Sequence, residues 1–385
     1  MSEQRFFNTE LGLTEGRTIQ AVSSVILTKL NHFLNNFDYQ KYTVRDVRLA
    51  LIKDNLSVSD FGALLSPAAE NLFEDMAYKA KILTRKHFGN SINLYTPLYI
   101  SNYCQNQCIY CGFNNKNNIT RAKLSIDEIN NEFKKISQTE LKEILILTGE
   151  DRSISNIEYI GEAVKSATTY FTTIGLEIYP LDTDEYKYLQ NCGADFVSIY
   201  QETYDSDLYQ KYHLSGPKKD YDFRFNAQER AINADMRGVS FGALLGLGDF
   251  RKDTFATGIH AYLIQQKYPD TEISFSVPRL RNFNNKEISN SITEKNLFQV
   301  MMALRIFMPY ATINISTREK AVFRDNVIGL VANKISAEVK TSVGGHLEKK
   351  GDEQFNISDN RDVVQIHNAI IKKGLQPVYS NFIRL

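Results

Sequence analysis

Three of the chain's four cysteines, Cys104, Cys108 and Cys111, lie within eight residues in the spacing C-x3-C-x2-C. Three thiolates on one short loop can grip one face of an iron–sulfur cubane and ligate three of its irons. The fourth iron then lacks a protein thiolate, and an open position on a catalytic metal is where substrate or cofactor coordinates. Structural zinc is the rival reading. It needs four protein ligands, usually as two pairs, but no second pair exists and no histidine lies near in sequence. Cys192, in Gln190-Asn191-Cys192-Gly193, reads as a small packing residue. A secreted disulfide framework would spread its cysteines instead of clustering them.

A reactive loop of this kind must hang on rigid elements. The chain has 385 residues, with 45 Lys and Arg against 45 Asp and Glu, so no net field recruits nucleic acid or an anionic membrane. No secretory signal and no membrane-spanning run is evident, which points to a cytoplasmic protein. Residues 1–85 read as an N-terminal helical extension. One apolar stripe there runs through Ile19, Val22, Ile26, Leu30 and Phe33, and a second through Leu72, Met76, Ala80 and Leu83. From about residue 90, short β-branched runs alternate with helical stretches. Eight strands are expected, at 93–100, 143–148, 173–179, 196–200, 239–245, 273–277, 312–316 and 336–341. Helices are expected at 125–137, 156–169, 222–234 and 294–307. Repeated β-then-α spacing implies parallel strands with right-handed crossovers. The fold class is therefore α/β: a (β/α)8 TIM-type barrel over residues 86–350, with a short C-terminal segment at 351–385. An open doubly wound sheet is the alternative.

In such barrels chemistry gathers where strands end. The first expected strand leads into the cysteines and the second into Thr148-Gly149-Glu150. The third contains Glu177. The sixth ends at Pro278-Arg279, and the seventh runs into Ser316-Thr317-Arg318-Glu319.

C-x3-C-x2-C with an aromatic, Tyr110, before the last cysteine resembles the radical S-adenosylmethionine superfamily. Within it, Tyr95-Thr-Pro-Leu-Tyr99 through Cys111-Gly-Phe113, Leu147-Thr-Gly-Glu150, Glu177-Ile-Tyr-Pro-Leu181 and Tyr200-Gln-Glu-Thr-Tyr204 are similar to the 2-iminoacetate synthase family. So are Ser276-Val-Pro-Arg-Leu-Arg281 and Ser316-Thr-Arg-Glu319. The likeness runs from about residue 65 to the end, with about 240–350 as the biotin- and thiamin-synthesis-associated region.

The resemblance implies a [4Fe–4S] cluster on Cys104, Cys108 and Cys111, and S-adenosylmethionine on the open iron, cleaved to a 5′-deoxyadenosyl radical. It implies removal of hydrogen from the amino group of L-tyrosine and cleavage of Cα–Cβ to 2-iminoacetate and p-cresol, for thiamine thiazole synthesis. Thiazole synthase is the expected partner, and flavodoxin or ferredoxin the expected electron donor. Tyr110 would pack against the adenine end. Thr148-Gly149-Glu150 stands where the family has Gly-Gly-Glu, against the cofactor's amino group. Glu177 and Arg224 are candidates for further cofactor contacts. Arg318 would hold the tyrosine carboxylate through two parallel hydrogen bonds, with Ser316 assisting, Arg279 as a fallback and Tyr95 facing inward. For Arg318 the plain alternative is an ion pair with Glu319. His213 would be structural or exposed.

Rival activities are the related tryptophan lyases, the tyrosine lyase of hydrogenase maturation and biotin synthase. The last two carry further cysteines for a second cluster, and none follows Cys192 here. A zinc-binding scaffold is the rival from another class.

Overall fold

The computed structural model describes residues 25–280, 292–380 and 382. Ile19, Val22 and Arg281, used in the sequence reading, lie outside them.

Eight parallel strands close on themselves: β1 (Ser91–Ser101), β2 (Glu143–Thr148), β3 (Thr173–Glu177), β4 (Phe196–Ser198), β5 (Gly238–Phe241), β6 (Glu272–Ser276), β7 (Thr312–Ile315) and β8 (Lys334–Ser336). Each pairs with the next, and β1 joins both β8 and β2, so the barrel leaves no open edge among these eight. The doubly wound alternative is thereby excluded. Seven strands lie where their apolar runs predict, most of them shorter at the C-terminal end, where the chain turns into the polar loops that build the mouth. The eighth, expected at 336–341, is displaced to Lys334–Ser336 and shares only Ser336 with the expectation.

Alternation along the strands divides the apolar residues between two faces. Leu94, Leu98, Ile144 and Ile146 face the surrounding helices in the main core. Tyr95, Tyr99, Leu145 and Leu147 face the lumen, with Phe113 above them.

A ninth strand, β9 (Gln376–Val378), adds to the start of β1. It was not foreseen as a strand because it holds Pro377, which a ladder admits only at an edge. The expected helix 222–234 is two helices, Tyr221–Phe225 and Ala227–Asn233. Asn226 separates them, donating its side-chain amide to the Asp222 carbonyl at 2.8 Å, a local bond that competes with helix continuation.

The N-terminal helices clamp the outside of the second half of the barrel. Phe37 stacks on Phe255 at 3.8 Å between centroids, and Phe61 on Phe307 at 4.3 Å. Gly258, mid-helix in Phe250–Lys267, is required by this contact: a Cβ there would lie 2.5 Å from the Phe61 ring. No described helix is long and apolar enough to cross a membrane.

Candidate active site

The cysteine loop leaves the end of β1 as irregular backbone, yet its polar groups are satisfied. Gln105 N–H donates to the Glu150 carbonyl at 2.9 Å, Gln107 N–H to Ser215 at 2.9 Å and Ile109 N–H to Tyr212 at 3.1 Å. Arg121 draws three carbonyls together, those of Asn102, Phe113 and Asn114, at 2.7 to 2.9 Å. Gly149 must be glycine for the same reason: a Cβ there would sit 2.2 Å from the Tyr103 carbonyl. The loop after β2 can therefore press directly on the cysteine loop.

A cavity of about 110 Å³ is lined by Cys104, Cys108 and Cys111 together with Thr148, Glu150 and Arg224. Burial raises the thiol pKa of Cys104 and Cys108, and negative charge on Cys111 raises both further. The three sulfurs thus share one buried neighbourhood, and together as thiolates they need a positive centre to offset their charge. Among the described residues no three His, Cys, Asp or Glu side chains converge on a single ion. A cubane asks something else, one thiolate for each of three separate irons. Thr148 Oγ1 is buried without a hydrogen-bond partner beside this cavity. Glu150 accepts from Asn106 Nδ2 at 2.7 Å.

Charged groups close the wall. Glu202, at a positive φ of 71°, accepts from Lys218 Nζ at 2.6 Å and lies 3.4 Å from Arg224. Burial opposes its charge, but the two cations outweigh it and hold its carboxyl below the ordinary range. Arg224 Nε also donates to the Tyr200 carbonyl at 2.7 Å. Glu177, at the end of β3, behaves oppositely: burial, then the charge of Glu202, pushes its pKa up to about 7. Tyr110 O–H pairs with His213 Nε2 at 2.8 Å. His213 is fully buried and bonded to Tyr209 as well, so it is structural rather than exposed.

A second cavity, of about 140 Å³, adjoins the first, and Cys111, Glu177 and Glu202 line both. Its far wall carries Ser276, Asn314, Ser316 and Arg318, with Tyr95 from β1. Arg318 is covered by Phe355, whose ring centroid is 3.5 Å from the guanidinium carbon. Burial lowers the Arg318 pKa, against the opposing influence of Tyr99 and Glu177. Glu319, the expected alternative partner for Arg318, is ion-paired with Arg279, and both side chains are buried. Arg279 also donates to the Ile292 carbonyl at 2.6 Å and does not line the cavity. It braces the Arg318 loop from behind and is not positioned as the fallback carboxylate partner.

Residues 337–361 strap the mouth. Gln354 accepts from Tyr99 O–H at 2.8 Å, and its amide lies 3.8 Å from the Cys111 sulfur. Arg324, fully buried, pairs with Asp359, and Arg361 pairs with Asp325 at 2.9 Å, tying the strap down. Lys218, Asn106, Arg121, Gln354 and Phe355 were missed by sequence reasoning. Asn106 and Arg121 lie in or just after the cysteine loop, where no periodicity marks them, and Lys218, Gln354 and Phe355 arrive only when residues 205–220 and 337–361 fold back.

A radical SAM superfamily profile matches residues 98–257, and the Biotin and Thiamin Synthesis associated domain matches residues 276–376. The chain is 36% identical to the 2-iminoacetate synthase of Escherichia coli over 88% of its own length and 91% of that protein. This chain belongs to the 2-iminoacetate synthase family. The Salmonella typhimurium enzyme of that name gives the same figures of identity and coverage. Crystal structures of HydG, a maturase of the [FeFe]-hydrogenase, superpose with TM-scores of 0.86 and 0.84 at 30% and 29% identity. They cover 92% of this chain and 80% and 85% of theirs. Methylornithine synthase shares the fold, at a TM-score of 0.68 and 21% identity. The chain is a radical S-adenosylmethionine enzyme of the lyase class, and membership of that superfamily implies an iron–sulfur cluster and S-adenosylmethionine. The clustered thiols, Cys108 buried and Cys104 and Cys111 half-buried, and the orphaned Thr148 hydroxyl beside them fit both groups.

Proposed function

We propose that this enzyme cleaves the Cα–Cβ bond of L-tyrosine to 2-iminoacetate and p-cresol, converting S-adenosylmethionine to 5′-deoxyadenosine and methionine, towards the thiazole of thiamine. The reading rests on one observation: Arg318 and Cys111 line the same cavity.

Cys104, Cys108 and Cys111 would hold a [4Fe–4S] cluster. Thr148, Gly149, Glu150, Glu177 and Arg224 would hold S-adenosylmethionine, with Tyr110 at its adenine end. When bound, the two groups supply a one-electron, hydrogen-abstracting centre. The chain's own residues do the rest. Arg318 receives the tyrosine carboxylate by a bidentate pair, whose planar geometry fixes the carboxylate's orientation. Ser316 adds a hydroxyl to the same end. With the carboxylate fixed, the amino group is held towards the shared wall of the two cavities, because orientation sets which hydrogen is within reach. Phe355 packs on Arg318 and Gln354 bonds Tyr99, so the two narrow the mouth over the substrate's carboxylate end. Glu177, half-protonated near neutral pH, is suited to take or give a proton beside Tyr200, whose hydroxyl lies 3.4 Å away.

Flavodoxin or ferredoxin would deliver the electron in a cytoplasmic setting. 2-Iminoacetate is unstable in water, so direct transfer to thiazole synthase follows from its chemistry. The test is anaerobic turnover of cluster-loaded protein with S-adenosylmethionine, a strong reductant and L-tyrosine. Equal amounts of 5′-deoxyadenosine and p-cresol support the reading; 5′-deoxyadenosine without p-cresol rejects tyrosine as substrate.

A further inference from the structure

Below Arg318 the second cavity ends on a polar layer. Tyr95 lies four residues before Tyr99 on β1, so it sits ~13 Å deeper by strand rise. It faces Asn314 of β7, whose Nδ2 donates to the Tyr95 hydroxyl oxygen at 2.8 Å. Beneath this layer the lumen is plugged. Lys334 forms an ion pair with Glu143 and stands 5.1 Å from the Tyr95 ring and 4.7 Å from that of Phe196.

The pair is incompletely satisfied. Asn314 Oδ1 is buried without a hydrogen-bond partner. The Tyr95 oxygen already accepts from Asn314, and its own proton has no acceptor among the described residues. Burial raises the Tyr95 pKa, so that proton is present throughout the neutral range. The cavity wall therefore holds one donor and one acceptor side by side. Rotating the amide by 180° exchanges which residue supplies which, and leaves the same two functions. Leaving a buried polar group without a partner is costly, so the layer is built for a ligand that supplies both partners. A phenol hydroxyl does so, since it donates and accepts. An indole N–H only donates, and a phenyl ring does neither.

We infer that Asn314 and Tyr95 form a hydroxyl-reading floor that selects a phenolic amino acid over phenyl and indole analogues. The inference rests on the tyrosine-lyase reading and adds to it the residues that read the ring. A site that hydrogen-bonds a substrate hydroxyl rejects the analogue lacking it far more strongly than an apolar pocket could.

The experiment is a calorimetric titration of the unreduced enzyme, loaded with cluster and S-adenosylmethionine, with L-tyrosine and L-phenylalanine. The wild type is expected to prefer tyrosine by at least ~100-fold. Tyr95→Phe and Asn314→Leu are expected to lower that preference at least tenfold, by weakening tyrosine while phenylalanine binds as before or tighter. Arg318→Lys should weaken both ligands alike and leave the ratio intact. Tyr95→Phe removes a single oxygen, so it decides the matter even where Asn314→Leu fails to fold. An unchanged ratio in Tyr95→Phe, or a wild type indifferent to the hydroxyl, overturns the inference. Turnover in parallel separates the two levels: p-cresol formation with an unchanged ratio removes only the floor, whereas no p-cresol from the wild type removes the parent reading and the floor with it.

Discussion

The two halves of the barrel wall are built from different chemistry. The wall after β1–β4 is dense with charge: three thiols, Glu150, Glu177, Glu202 and, folded back over them, Lys218 and Arg224. The wall from β6–β8 is neutral hydroxyl and amide, with Arg318 as its cation. A charged wall suits a charged cofactor and the group that activates it. A neutral wall with a cation at one end suits a small amphiphile with a carboxylate at one end and a ring at the other. The contrast assigns activation to the first half and discrimination to the second, and it can be broken by changing one wall and measuring the function of the other.

The largest effect belongs to the first wall. Cys104→Ala should abolish the iron–sulfur absorbance and take both 5′-deoxyadenosine and p-cresol below detection, as measured on anaerobically reconstituted protein. Next is the second wall. Arg318→Met should lower kcat/KM for tyrosine by roughly 10²–10³, a loss of about 3–4 kcal/mol. S-Adenosylmethionine affinity, read by equilibrium binding, should hold. A parallel loss of cofactor affinity would end the division of labour.

Glu202→Gln comes third. It leaves Lys218 and Arg224 buried without their carboxylate, so stability should fall by about 3 kcal/mol in urea titrations. Cofactor binding should weaken, and the tyrosine-to-phenylalanine preference should stay unchanged.

The smallest effect concerns the support beneath the charged wall. Asp253 accepts from Tyr204 N–H at 2.8 Å and Thr203 Oγ1 at 3.0 Å, just beyond Glu202. Burial pushes its pKa up to about 7. The folded chain therefore keeps a proton that the unfolded chain releases near pH ~4. Stability from this group is greatest below that value and is lost as pH rises towards 7. Glu177 adds to the slope in the same window. Asp253→Asn should remove this loss, so that the variant's unfolding midpoint gains on that of the wild type as pH rises from about 4 to 7, while buried His213, His260 and His346 act in the opposite direction in both proteins.

How much of this was legible in the sequence follows from which interactions are local. Strand positions were legible because a lumen face and a helix face impose alternation on runs such as 143–148. The cysteine spacing was legible because Cys104, Cys108 and Cys111 are close in sequence and sit on one loop. Arg318 stood out through its strand-end position, although the pairing of Glu319 with Arg279 depends on two loops meeting and no spacing encodes it. Lys218 and Phe355 were invisible for the same reason, since each reaches the cavity only after a long segment folds back. Asn314 is an ordinary strand residue until Tyr95 is seen opposite it.

The central claim is that the second wall holds tyrosine by its carboxylate so that the amino N–H faces the first wall. Turnover in D2O with tyrosine protiated at carbon tests it most directly, because only nitrogen- and oxygen-bound hydrogens exchange. The account predicts one deuterium in the methyl group of 5′-deoxyadenosine. Unlabelled 5′-deoxyadenosine in D2O, with label transferred from carbon-deuterated tyrosine in H2O, would contradict it.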